Sequence, residues 1–346
     1  MNERKTTNIL LLILVIPLVF YLLKILSFIF IPFIFSMFIA LLFLPFMRFL
    51  NKKKVPKPIS ILIIVSIIAG ISFLGLQLLK LSSNEILATK DVFIEKAEVK
   101  ILDLIVTAED TFKIDRPEGV SVFKHYSEET NLLTKFGSTI DYASSFVTTI
   151  LMTLFFAILL LMGSINFEKY LNKIFIKEKH SSIKTFMKIE NDMIRFVKVK
   201  FIISLGTGIG FTLACLFFDV SFPIFWGLFA FAINFIQMIG SVISVILLSI
   251  FGFVELDPTG TLLAFILIIT GVQVLFGAIL EPIFMGKTFS VNIITILIML
   301  MLWGFIWGIP GLIFAIPITI IVKIILLESP KTKKIAQFIL GTQSRY

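Results

Sequence analysis

FWGLFAFAINFIQMIGSVISVI (Phe225–Ile246) and LWGFIWGIPGLIFAIPITIIVKII (Leu302–Ile325) are two long apolar stretches, each interrupted partway by polar, Gly or Pro residues. LEPIFMGK (Leu280–Lys287) lies between them. In lipid every backbone N–H and C=O must find a partner inside the protein, so a break in an apolar segment survives only where protein or a water-filled cavity surrounds it. A pair of interrupted segments is therefore a pointer to the binding site of a transporter. The first segment extends over 27 residues, Phe225–Phe251, and the second over 37, Val291–Leu327. Both exceed the ~20 residues of one straight span.

Working outward, the chain has 346 residues, 58% hydrophobic and 15% charged, against roughly 25% charged in soluble domains. Span-length apolar runs recur, so the fold class is an all-α polytopic membrane protein of about eight hydrophobic segments. The first run has no small-residue cleavage site and further spans follow at once, which reads as a retained helix. Net charge is +9. The lysines are spread over loops with no nucleic-acid motif beside them. They read as topology signals facing anionic lipid, with no nucleic-acid partner. Cys215 is the lone cysteine and permits no internal disulfide.

Ile9–Phe46 is almost unbroken apolar sequence with one charge, Lys24. As one helix it would reach about 57 Å, roughly twice a hydrocarbon core. A reversal is expected around Lys24, Ser27 and Pro32, giving spans at 9–26 and 29–47. Arg48, Lys52, Lys53, Lys54 and Lys57 follow without an acid, which assigns that loop, and with it the N-terminus, to the cytoplasm. Ile59–Leu79 is a third span. Residues 80–141 carry twelve Asp/Glu against eight Lys/Arg. Apolar residues at helical spacing predict a small external helical insert there, with a break at Arg116–Gly119. His125 has no partner at metal-ligand spacing. Ala143–Met162 is a fourth span. The linker Glu168–Lys200, with nine Lys/Arg against four Asp/Glu, reads as cytoplasmic and partly amphipathic. The expected organisation is thus three spans in 1–79, the insert in 80–142, a fourth span and basic linker in 143–200, a core with the two interrupted segments in 201–327, and a cytoplasmic tail in 328–346.

In Phe201–Phe218, Gly206, Gly210 and Ala214 stand at i, i+4, i+8, a ridge that lets another helix approach. Asn234, Gln237, Ser241 and Ser244 fall at offsets 0, 3, 7 and 10. On a helix they share one face within about 80°, and such a stripe either bonds other helices or lines a path. Gly240 adjoins it. In the second segment the break falls at Gly308-Ile309-Pro310-Gly311, with Gly304 one turn earlier. These two regions are the expected substrate path. Two topologies fit: eight crossings, or six with Phe225–Phe251 and Val291–Leu327 as re-entrant hairpins. Both place the termini inside.

Three motifs carry a family resemblance. NFIQMIG (Asn234–Gly240), after WGLFAFAI (Trp226–Ile233), looks like N-[FY]-I-P-x-[IV]-G. Leu280–Pro282 with Met285–Lys287 is similar to L-E-P-x-x-M-G. WGFIWGIPGLIFAIPIT (Trp303–Thr319) resembles W-G-x-x-x-G-x-x-G-x-x-x-[AS]-[VI]-P-[LI]-T. In this order they resemble the autoinducer-2 exporter family of bacterial membrane proteins. The resemblance implies an oligomeric inner-membrane transporter, some members being linked to autoinducer-2 export and others to sodium/proton antiport. Gln237 stands where the family pattern has Pro, so a weaker kink is expected there.

The expected function is export of a small polar solute, since amides and hydroxyls bind hydroxyl-rich solutes without demanding charge. The rival is cation/proton antiport, which calls for a membrane carboxylate; Glu281, beside Pro282, is its one candidate near these motifs. A third reading is a scaffold acting through 80–142. No nucleophile–base pair, metal-ligand spacing or phosphate loop supports an enzyme, a metal or another cofactor.

Overall fold

The computed structural model describes residues 3–112, 149–163, 180–256, 260–286, 292–328 and 332. Expectations for 113–148, with His125 and Arg116–Gly119, for 164–179, 257–259 and 287–291, and for the tail beyond Thr332 lie outside them. Among the described residues every regular element is a helix. The chain is an all-α polytopic membrane protein. Five helices are long and apolar enough to cross a bilayer: Ser27–Lys52, Lys57–Thr89, Met187–Phe217, Gly260–Met285 and Ile309–Leu326. Shorter apolar helices accompany them.

In chain order the helices are α1 (Glu3–Ile25), α2 (Ser27–Lys52), α3 (Lys57–Phe112), α4 (Thr149–Gly163), α5 (His180–Phe217), α6 (Pro223–Ile233), α7 (Ile239–Glu255), α8 (Gly260–Gln273), α9 (Ile293–Trp307) and α10 (Ile309–Glu328). The helix α8 runs on through a π-helical stretch, Val274–Leu280, into an α-turn, Glu281–Met285.

Three elements depart from the sequence expectation. The reversal near Lys24 is a bend at one residue, Leu26, with φ −84° and ψ 17°. Leu26 N–H still bonds the Leu22 carbonyl, and the Leu26 carbonyl accepts from Ile29 and Phe30. The hydrogen-bond ladder is barely interrupted, and Pro32 sits inside α2. The helix of the span begun near Ile59 does not stop at Leu79: α3 continues to Phe112, about 84 Å of helix. No Gly or Pro occurs between Leu76 and Phe112, so nothing in the sequence ends it. For the same reason the basic stretch before Phe201 is not a separate linker. From His180 it is one helix with the following span.

The fold has two compact units. One comprises Met1–Ile68, Thr148–Phe201 and Glu281–Tyr346; the other comprises Ala69–Val147 and Ile202–Leu280. In the first, Phe38 of α2, Met193 and Phe196 of α5, Met285, and Phe314 and Ile320 of α10 form one cluster. The Phe314 ring lies 4.8 Å from that of Phe38, tilted by 59°. A second cluster joins Ala40 and Met47 to Ile64 of α3 and Leu161 of α4. In the second unit, Phe211 and Cys215 of α5, Trp226 and Ala230 of α6, Leu248 of α7, and Phe265 and Ile269 of α8 form the core. Many large apolar side chains, Phe217, Met301 and Phe305 among them, stay exposed. On a membrane protein these face acyl chains.

Both interrupted segments fold as helix–break–helix hairpins. At 11 residues, α6 is about 16 Å long, half a hydrocarbon core, and cannot cross alone. Its start faces the end of α7, with Trp226 and Phe251 5.0 Å apart. Its last residue, Ile233, meets the start of α7, where a side chain on Gly240 would strike the Ile233 carbonyl. The α9–α10 hairpin is as tight: Gly311 lies against the Trp303 carbonyl, and Gly308 turns the chain at φ 63°, ψ −138°. That conformation is almost confined to glycine. Nothing lies within 4 Å of a Cβ on Gly308, so Gly308→Ala tests backbone strain alone. It should lower stability by about 1–3 kcal/mol, read as a drop in the thermal midpoint of the purified protein. Gly75→Ala, equally open but inside α3, should raise stability by about 0.5–1 kcal/mol.

Candidate functional site

The first interruption places an amide in the interior of the second unit. The helix α6 ends at Ile233 and α7 begins at Ile239, so Asn234 and Gln237 lie in the break and not on a helical stripe with Ser241 and Ser244. The break forms without the proline of the family pattern. Its backbone is closed by short-range bonds: Phe235 N–H to Ala232, Ile236 N–H to Ile233, Ile239 N–H to Gln237 and Gly240 N–H to Ile236. Met238 takes φ 62° and ψ −48°, a left-handed conformation that costs a residue with a Cβ about 1–3 kcal/mol. Ser241 and Ser244 donate to the carbonyls of Met238 and Ser241. Both hydroxyl protons are spent on the first turns of α7.

Asn234 is 3% exposed. Its amide nitrogen donates to Ser204 Oγ of α5 at 3.2 Å, and its Oδ1 accepts from Gln273 Nε2 of α8 at 3.4 Å. Gln273 is 8% exposed and its Oε1 is enclosed without a donor. It closes the α-helical part of α8 where the π-helical stretch begins, and π-bulges are frequent at functional positions. Gly277, one turn on, leaves room for it: a Cβ there would stand 2.8 Å from Gln273 Nε2. A buried acceptor with no partner costs about 1–3 kcal/mol. The cluster can therefore take one more hydroxyl or N–H at Gln273 Oε1. Gln273 and Ser204 are the members that sequence reasoning missed. Gln273 is an amide inside the apolar run Leu262–Leu280, a weak signal by itself, and Ser204 had none.

The small-residue ridge of α5 packs on α8 and its π stretch. Gly206 faces Phe276, Gly210 faces Val272, and Ala214 is buried in the core. Where α5 ends, Ser221 N–H and Oγ both bond the Glu255 carboxylate, at 2.6 and 2.8 Å, and Phe222 N–H bonds Glu85 at 3.2 Å.

The first unit holds a different arrangement. Lys200 and Glu281 are 2% and 5% exposed. Lys200 Nζ donates to both Glu281 oxygens, at 3.0 and 3.1 Å. One turn earlier on α5, Arg195 Nε donates to the Phe284 carbonyl at 2.8 Å, so two basic side chains of α5 hold the LEPIFMG segment. Lys200 escaped the sequence reading because its charge matched the basic run before it. The second interruption is less open than a glycine break suggests. Gly308 N–H bonds the Gly304 carbonyl and its own carbonyl accepts from Leu312. Pro310 is the second residue of α10, where the missing N–H leaves no bond unmade. Among the described residues no group of three or more His, Cys, Asp or Glu could hold a metal ion.

The model of the AI-2E family transporters matches residues 9–331. A protein of Borreliella burgdorferi named for transport is 31% identical over 60% of this chain and 57% of its own length, so the match spans little more than half of that relative. The AI-2 transport protein TqsA of Escherichia coli is 24% identical over 88% of each chain. YueF of Bacillus subtilis, also named for transport, is 24% identical over 90% of each.

Removing one member of a buried ion pair strands the other charge. Lys200→Met should therefore cost about 3–5 kcal/mol, whereas Lys200→Met with Glu281→Leu should recover most of it. Thermal unfolding of the two purified variants checks this, and a double variant as unstable as the single one would contradict the pairing.

Proposed function

Because the chain belongs to the AI-2E family of membrane transporters, we propose that it exports a small, neutral, hydroxyl-rich solute, of which autoinducer-2 is an example, across the bacterial inner membrane. The observation that carries this reading is the buried Ser204–Asn234–Gln273 cluster at a strained helix break, with one acceptor left open. The name of TqsA supports the choice of cargo. A solute hydroxyl donating to Gln273 Oε1 satisfies the orphan acceptor, and further hydroxyls exchange bonds with the Asn234 amide and the serine lone pairs. No formal charge lies in the cluster, so a neutral cargo enters without stranding an ion. Transport then consists of bond exchange at the break, and the strain at Met238 keeps the alternative backbone arrangement close in energy. The protein works as a homo-oligomer with both termini in the cytoplasm.

A second reading has its own observation. The Lys200–Glu281 pair places a carboxylate in a buried site where a bound cation or a proton can compete with the ammonium. Ionisable groups in such positions mark ion and proton paths. In this reading the protein is a cation/proton antiporter, or the pair couples an ion gradient to solute export.

Proteoliposomes loaded with autoinducer-2, with and without an imposed sodium gradient, separate the two. Protein-dependent efflux supports the exporter, and Asn234→Leu should lower it about fivefold or more at unchanged membrane insertion, the loss of roughly one hydrogen bond's stabilisation. Wild-type efflux in that variant would falsify the role of the cluster. Lys200→Met combined with Glu281→Leu, which strands no charge, should leave gradient-free efflux in place and abolish any response to sodium. Sodium-driven proton movement without solute efflux would establish the antiporter instead.

A further inference from the structure

We propose that the first unit carries a binding site for an anionic phospholipid, with one acyl chain in an apolar groove beside α2 and the phosphate at Arg48. The inference is independent of the cargo and rests only on the membrane fold.

The groove has a volume of about 370 Å³, within the range of ligand sites, roughly 300–1,000 Å³. Met37, Ala40, Leu41 and Leu44 of α2 line it, with Leu160 of α4 and Met193 of α5. The four α2 residues recur at i, i+3, i+4 and i+7 and lead down one face of α2 to Arg48, which also lines the groove. Along a helix, Met37 to Arg48 covers about 16 Å, close to half of a ~30 Å hydrocarbon core. The groove is therefore one leaflet long. Its apolar end lies toward the middle of the membrane and its charged end at headgroup depth.

The charged end selects the lipid. Arg48 is ion-paired with Glu190 of α5 at the groove wall, and its side chain is still 39% exposed. Beyond it α2 ends in Lys52, followed by Lys53, Lys54 and Lys57, all exposed. Arg48 in the groove and four exposed lysines just beyond it favour a phosphate-bearing headgroup without a compensating ammonium. Basic pockets between membrane helices take anionic headgroups in this way. The phosphate competes with Glu190 for the Arg48 guanidinium, and the lysines hold the rest of the headgroup.

The test uses the full-length protein in vesicles of phosphatidylcholine with a minor fraction of phosphatidylglycerol. The protein is extracted gently, and its retained lipid is read by native mass spectrometry. Retained lipid should be enriched in phosphatidylglycerol relative to the vesicle. Arg48→Gln combined with Glu190→Gln removes the cation without stranding the carboxylate, and should lower that enrichment about fivefold, the effect of one cation at an anionic surface. Gly163 lies on the groove and a Cβ there meets nothing within 4 Å, so Gly163→Trp fills the space and should abolish retention of either lipid. Should the double variant not fold, neutralising Lys52, Lys53 and Lys54 tests the charge in its place. Retained lipid matching the vesicle composition overturns the proposal, as does full retention in the folded Gly163→Trp protein.

Discussion

Every part of this structure answers to one constraint: a backbone placed among acyl chains has no water to bond. Each unsatisfied N–H or C=O there costs several kcal/mol, more than most side-chain contacts return. Helices meet the constraint locally, and this protein extends them wherever the sequence allows, as in the 56 residues of α3. Where the chain must turn inside apolar sequence, the breaks are short and their polar groups are recaptured. The Asn234–Met238 break closes on its own carbonyls. The serines of α7 return their hydroxyl protons to the same helix. At Gly308 a single residue reverses the chain with both backbone groups bonded.

Side-chain polarity follows the same logic one level up. The Lys200–Glu281 pair is fully enclosed, so its mutual attraction must offset the desolvation of two ions, a balance that seldom leaves much net stability. Its service is positional. With Arg195 it fixes the segment that follows the π-helical stretch of α8 onto α5. The Asn234 cluster is the opposite case, since it contains no charge and leaves one acceptor open. On the proposed transport reading, that open acceptor is the group a solute hydroxyl would bond. The π stretch begins directly after the residue that carries that open acceptor.

The apolar exterior also has structure. Most exposed leucines, isoleucines and phenylalanines form an unspecific contact with acyl chains. The groove along α2 differs because it ends at Arg48, with the exposed lysines of the following loop beyond it. On the proposed lipid reading, topology signal and lipid recognition draw on the same residues: the cations expected to hold the loop on one side of the membrane would also meet the lipid of that leaflet.

Sequence alone determined the class of the fold, because composition and the length of the apolar runs are properties of the bilayer and not of any partner residue. It also located both interruptions and the Asn234 amide, since a polar or glycine residue in such a run is visible without knowing its neighbours. It misjudged continuity. A change from apolar to charged residues was taken for an element boundary at Leu79 and Lys200, yet helices end where caps, Gly or Pro end them. The reversal expected at Lys24 became a bend for a related reason: nothing there breaks the ladder for more than one residue. What only the tertiary structure decided is pairing. Lys200 meets Glu281 across 81 positions of sequence, and Gln273 meets Asn234 across 39. Residue spacing encodes which side chains share a helix face, but not which faces meet, because that depends on how whole helices pack.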